Sequence, residues 1–84
     1  MVRSCAYSET PVTFENCIPG KLVKRGNDWR WGNQDHQNGL PGTGVIVECR
    51  SDKNAVVKWS NGNIHLYRVG YEAAFDLFYS GNNK

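Results

Sequence analysis

Apolar positions fall in short runs between turn residues, and no run carries a helical period for more than about one turn. Leu22-Val23 within residues 21–25, Val45-Ile46-Val47 within 43–50, Ala55-Val56-Val57 within 55–59 and the alternating Ile64-His65-Leu66-Tyr67 within 64–69 predict four strands. Pro19-Gly20 precedes the first strand, Ser51-Asp52-Lys53-Asn54 separates the second from the third, and Gly70 closes the fourth. Residues 71–78 carry two signals, one helical turn in the first half and a closing strand over 75–79. Val12-Thr13-Phe14 adds a candidate short strand. Between the first and second strands lies a long stretch, residues 27–44, rich in Gly, Asn, Gln and Asp. Short strands, tight turns and no long helix predict an all-β fold, a small antiparallel barrel or sandwich with a long loop after the first strand.

The hairpin between the third and fourth strands has two registers. A two-residue type I′ turn at Asn61-Gly62 pairs Trp59 with Ile64 and puts Ala55, Val57, Trp59, Ile64 and Leu66 on one face. Lys58, Asn63, His65 and Tyr67 then lie opposite. A three-residue loop, Ser60-Asn61-Gly62, with Gly62 in a bulge pairs Trp59 with Asn63 instead. His65, Tyr67 and Val69 then move to the Trp59 face, because a one-residue slip inverts a strand. The Asn-Gly pair and the apolar count favour the first register. Trp59 is expected to be buried in the core.

Composition narrows the classes. The 84 residues suffice for one domain, and 12% aromatics with three Trp argue against disorder. Residues 1–19 read as an extended lead-in, 20–79 as the compact domain and 80–84 as a flexible tail, the whole as a module of a larger protein. Ten basic and eight acidic residues are well mixed, net +2, so neither nucleic acid nor membrane is an expected partner. No apolar run approaches the roughly 18 residues of a transmembrane helix, and residues 1–19 lack the apolar core of a secretory signal. Cys5, Cys17 and Cys49 are odd in number and widely spaced, which predicts reduced thiols in an intracellular protein, cytoplasmic or nuclear. With only His36 and His65 beside them and no paired spacing, no metal site is expected, and no cofactor. The isolated domain is expected to be monomeric.

No nucleophile elbow accompanies either His, and Gly42-Thr43-Gly44 lacks the context of a dinucleotide loop, so the domain is expected to be non-catalytic. The informative segment is Arg25-Gly26-Asn27-Asp28-Trp29-Arg30-Trp31-Gly32-Asn33-Gln34-Asp35. One reading is structural: Arg–Asp pairs and a Gln amide satisfy a wrapped loop while Trp rings fill the core. The other is a recognition surface, since Trp, Tyr and Arg dominate binding hot spots. Asp28 and Asp35 are each expected to find a backbone N–H, an Arg or an amide, with Arg25 or Arg68 among the partners.

The series Val23-x-Arg25-Gly26-x-Asp28-Trp29-x-Trp31-Gly32-x-Gln34-Asp35, Gly42-x-Gly44-x-Ile46-Val47, Val57-x-Trp59-x-x-Gly62, Tyr67-Arg68-x-Gly70 and Asp76-Leu77 resembles the Mib–Herc domain across residues 20–78. That family occurs in Mind bomb RING-type and giant HECT-type ubiquitin ligases. The resemblance implies an SH3-like β-barrel and a non-catalytic module, within a HECT-type E3 ubiquitin ligase, that binds a protein substrate or peptide segment. Where the family continues with Gly-Gly after Gln34-Asp35, this chain has His36-Gln37-Asn38-Gly39-Leu40-Pro41. Candidate partner-binding residues are Trp29, Trp31, Gln34, Asp35, His36, Tyr67, Arg68 and Tyr71. Arg25, Asp28 and Trp59 are the structural positions of the motif. A scaffold domain packing on neighbouring ligase domains, or a reader of modified histone or nucleic acid, are the alternatives; the last needs a basic stripe or an open aromatic cage.

Overall fold

In the computed structural model, which describes residues 10–80, the β-branched and aromatic runs form seven short strands. They are β1 (Leu22–Arg25), β2 (His36–Gln37), β3 (Leu40–Pro41), β4 (Gly44–Cys49), β5 (Asn54–Trp59), β6 (Ile64–Arg68) and β7 (Leu77–Tyr79). A 3-10 turn spans Tyr71–Ala73. The fold is all-β, as the alternation predicts. One antiparallel sheet has the order β6-β5-β4-β1-β7, and β2-β3 forms a separate ribbon inside the long loop. Among the described residues the two edges of the large sheet approach one another at a bridge between Val69 and Phe75, with the Asp76 N–H on the Arg68 carbonyl. No ladder closes the sheet on itself.

Alternation places one face of the sheet inside. Val23, Ile46, Ala55, Val57, Trp59, Tyr67, Val69 and Leu77 form the core, with Val12 supplied by the lead-in. Trp59 is buried, as expected. Residues 10–20 lie against the sheet. The Val12 N–H bonds the Leu77 carbonyl, the Tyr79 N–H bonds the Thr10 carbonyl, and the Gly20 N–H bonds the Ile46 carbonyl. The Tyr79 hydroxyl donates to the Asn16 carbonyl and accepts from the Ile18 N–H.

The structure departs from two expectations. The first is the β5–β6 register. Lys58 pairs with Ile64 and Val56 with Leu66, and the Trp59 N–H bonds the Asn63 carbonyl, so the loop has three residues. Gly62 takes the positive φ (94°) and Asn61 does not, which rules out type I′ geometry. Tyr67 and Val69 therefore point inward with Trp59, while Ile64 and Leu66 lie outside, 56% and 48% exposed. Asn61 decides the matter. Its amide donates to the Gln34 and His36 carbonyls, and its Oδ1 accepts the Asn63 N–H. Those bonds tie the turn to the long loop. The two-residue turn occurs instead at Asn38-Gly39, where both φ values are positive (57° and 81°) and β2 meets β3.

The thiols differ too. Cys17 and Cys49 form a disulfide rather than two reduced thiols. The lead-in runs beside β4, with the Ile46 N–H on the Lys21 carbonyl, and this brings Cys17 next to the end of that strand. The odd count of Cys in the sequence hid the pair; Cys5 itself lies outside the described residues. Closing a 32-residue separation removes loop entropy from the unfolded chain. Reduction, or the double change to Ser, is expected to lower stability by about 2–4 kcal/mol. Urea titrations with and without a phosphine reductant measure this, and an unchanged midpoint would show that the crosslink adds nothing.

Among the described residues no group of His, Cys, Asp and Glu stands where it could hold a metal ion, and no helix is long and apolar enough to cross a membrane.

Candidate functional site

The 26–35 segment leaves β1 and folds against the inner face of β5 and β6. Its two indoles close the core there. Trp29 stacks on Tyr67 with ring centroids 5.1 Å apart and planes 19° from parallel, and it meets Trp59 edge-on at 5.6 Å. Trp31 meets Tyr67 edge-on at 6.3 Å, and Trp59 meets Tyr67 at 5.6 Å. Offset-stacked and edge-to-face pairs of this kind add roughly 0.5–1.5 kcal/mol each beyond burial. A polar relay threads the cluster. The Trp59 indole N–H donates to the Tyr67 hydroxyl (2.8 Å), which donates to Gln34 Oε1 (2.7 Å).

Two fully buried carboxylates anchor the loop. Asp35 takes Arg25 in a two-point contact, Nε at 2.9 Å and Nη2 at 2.7 Å. Asp76 takes Arg68 the same way, at 3.0 and 2.7 Å, and also accepts the Trp31 indole N–H (3.0 Å) and the Arg68 backbone N–H (2.8 Å). Planar guanidinium on carboxylate is the strongest ordinary ion-pair geometry. Each carboxylate holds its Arg above the usual guanidinium range, chiefly through these hydrogen bonds. Asp28 accepts the Phe75 N–H (2.7 Å), and its carbonyl accepts from Arg68 (3.1 Å). Asp28 and Asp35 thus find the kinds of partner expected, Arg25 among them. The outer ring faces are also taken: Arg25 lies 5.1 Å from the Trp29 centroid, and Arg30 and Arg68 lie 5.4 and 5.5 Å from that of Trp31.

These contacts relocate the sequence candidates. Asp35 and Tyr67 are buried. Gln34, Trp29, Trp31 and Arg68 are partly buried and bonded within the domain: Gln34 to Tyr67, Trp29 through its indole N–H to the Gly32 carbonyl (3.0 Å), Trp31 and Arg68 to Asp76. His36 is half-buried in β2, its carbonyl held by Asn61. Tyr71 stands exposed on the 3-10 turn. Most of the eight belong to one bonded network, in which Asp35 and Tyr67 are buried and Trp29, Trp31, Gln34 and Arg68 keep part of their surface. Sequence reasoning missed the central roles of Asp76 and Asn61, and Asp76-Leu77 gave the only hint of the former. It also missed the outer face, where Leu22, Val45, Lys58 and Ile64 align across β1, β4, β5 and β6, with Val56 and Leu66 in the next row. The three-residue register would have shown it.

Burial pushes the Tyr67 phenol up to about 12, with Asp35 and Asp76 adding to the shift and the Trp59 N–H opposing it. The unfolded phenol ionises near 10. The native state therefore holds this proton more tightly, so the Tyr67 contribution is complete below about pH 10 and is lost as pH rises toward about 12. The urea midpoint is expected to be insensitive to this group up to about pH 9.5 and to fall above it. Tyr67→Phe should remove the phenolate absorbance component that appears last in an alkaline titration. If that component persists in the variant, another tyrosine carries it.

Comparison with known proteins places the chain. The Mib_herc2 family model matches residues 20–80. The chain is 41% identical over 68 residues to "E3 ubiquitin-protein ligase MIB2" of Gallus gallus, covering 75% of the chain and 7% of that protein. It is 41% identical over 70 residues to "E3 ubiquitin-protein ligase mind-bomb" of Drosophila melanogaster, covering 79% and 6%. It is 44% identical over 59 residues to "E3 ubiquitin-protein ligase HERC2" of Homo sapiens, covering 69% and 1%. The matched region begins just before β1 and ends just after β7, so it contains every strand named above, the Trp29–Trp31 loop and the Arg25–Asp35 and Arg68–Asp76 pairs; the chain belongs to the Mib_herc2 family.

Proposed function

We propose that the chain is a non-catalytic protein-recognition module of an E3 ubiquitin ligase, which holds a substrate or partner near catalytic machinery elsewhere in the parent protein. The observation that carries this reading is the family match itself, together with relatives whose names make them ubiquitin ligases. The chain spans 7% or less of the length of these relatives, which leaves ample room for a ligase centre outside it. The SH3-like barrel implied by the motif series and the HECT-type parent belong to the same proposal, as does an intracellular location, which rests on the ligase relatives and no longer on reduced thiols. So does a protein partner. Three guanidinium groups of the chain already cover the Trp29 and Trp31 faces, which disfavours an open cage for methylated lysine.

A second reading has support of its own. The exposed apolar residues of the outer face suit packing against a neighbouring ligase domain equally well. Pull-down with the isolated chain as bait, followed by peptide mapping of what is captured, separates the two. A saturable partner whose binding maps to a linear segment supports recognition. Capture of no partner by the isolated chain, alongside stable association with adjacent domains of the parent, replaces recognition with scaffolding.

A further inference from the structure

The sheet ends at β6, and the hydrogen-bond phase of that strand is set by its neighbours. The Trp59 N–H bonds the Asn63 carbonyl, and the Val69 N–H bonds the Lys53 carbonyl. In an antiparallel ladder the bonded pairs alternate, so residues 63, 65, 67 and 69 direct their backbone groups at β5. Residues 64, 66 and 68 direct theirs off the edge. Arg68 is satisfied there, its N–H by Asp76 Oδ2 and its carbonyl by the Asp76 N–H. Ile64 and Leu66 are not: among the described residues nothing bonds their N–H and C=O groups. Their side chains are exposed on the outer face. Beside them Lys58, paired with Ile64, has no ion-pair partner among the described residues. Proteins usually blunt such edges with charge, Pro or a covering segment. Here the edge carries two aliphatic side chains instead.

We propose that the Ile64–Leu66 edge of β6 accepts an extended segment of a partner protein as an added strand, with apolar side chains over Ile64 and Leu66 and a carboxylate directed at Lys58. This rests on the recognition reading and moves its surface away from the Trp29–Trp31 loop. Two donors and two acceptors in strand geometry select a backbone in strand conformation, the usual basis of β-augmentation. The lone cation in an apolar row selects a carboxylate. Beyond Ile64 the added strand reaches Gly62, which borders an open apolar hollow of about 380 Å³ lined also by Leu22, Thr43, Val45, Lys58, Trp59 and Ser60. A linear segment can pair at the edge and continue into that hollow. A second folded copy meeting edge to edge would pair through the same two residues, Ile64 and Leu66, a short contact beside the roughly 1,200–2,000 Å² of a stable interface.

The test uses the 84-residue chain and a library of random dodecapeptides displayed on phage. The strongest selected peptide is then synthesised as the probe. Backbone N-methylation, one residue at a time, is expected to weaken binding about tenfold at alternate positions of the paired stretch and little at those between, since each edge-facing N–H contributes one hydrogen bond. The Ile64 and Leu66 amides should exchange rapidly in the free chain and slow when the probe binds. Lys58→Glu should weaken an acidic probe. Binding with no two-residue alternation, or with unprotected Ile64 and Leu66 amides, overturns the edge proposal and leaves the recognition reading standing. A library that yields no binder counts against both. Protection of the same amides in the free chain, with dimers in sedimentation, assigns the edge to a second copy and overturns the occupant proposed.

Discussion

Trp59→Ala is expected to lower folding stability by about 3–5 kcal/mol, the usual cost of truncating a large buried aromatic. For a domain of this size that approaches the whole margin of stability. Trp59 is 1% exposed and contacts Trp29 and Tyr67, so the vacated volume would lie at the centre of the core. The loss is chemical as well as steric. The Tyr67 hydroxyl would lose its indole donor, although Gln34 would still accept from it. Trp59→Phe separates the two components, because it retains most of the volume and removes the N–H. Its expected cost is about 1–3 kcal/mol, the range for deleting one partner of a buried hydrogen bond. Circular dichroism at rising urea concentration reads both variants. An alanine variant as stable as the parent would show that the core does not depend on this ring.

The second large effect is expected at Asp76. Asp76→Asn keeps the shape and removes the charge that four donors share: Arg68 Nε, Arg68 Nη2, the Arg68 N–H and the Trp31 indole. An amide presents one oxygen and one NH₂, so at least one N–H would face another donor. Breaking a buried ion pair from one side typically costs about 3–5 kcal/mol, mostly through the uncompensated partner. The effect should extend beyond stability, since Arg68 also holds the Asp28 carbonyl and Asp28 holds the Phe75 N–H. Amide exchange at Phe75 and the fluorescence of Trp31 should therefore change together in the variant. If stability falls while both signals stay as in the parent, the Asp76 cluster is not what fixes the loop to the sheet.

Much of this was legible along the chain. The short β-branched runs between turn residues predicted β1, β4, β5 and β6 within a residue or two, because such side chains favour the pleated conformation. The mixed signal at residues 71–78 resolved into the 3-10 turn followed by β7, with Gly70 at the start of the turn. The density of Arg, Asp and Trp in residues 25–35 correctly marked a segment with internal bonding to satisfy. The ordered motifs placed the family.

What the tertiary structure decided is which partner each residue meets. Asn61-Gly62 is locally the best type I′ dipeptide, yet the carbonyls of Gln34 and His36, more than 24 positions away in sequence, claim the Asn61 amide and shift the loop by one residue. That single shift moves Tyr67 from surface to core and Ile64 and Leu66 from core to surface, since side chains alternate with period two. Cys17 and Cys49 could not be paired from spacing, because their meeting depends on the lead-in lying along β4. Asp35 was expected to find a partner, but Asp76 looks in sequence like any exposed Asp; burial beside Arg25 and Arg68 turns both into anchors. Local pattern specifies which segments are strands, because propensity and alternation are properties of neighbours. Register, crosslink and the exposed edge depend on contacts between segments far apart in the chain, and only the folded structure supplies those.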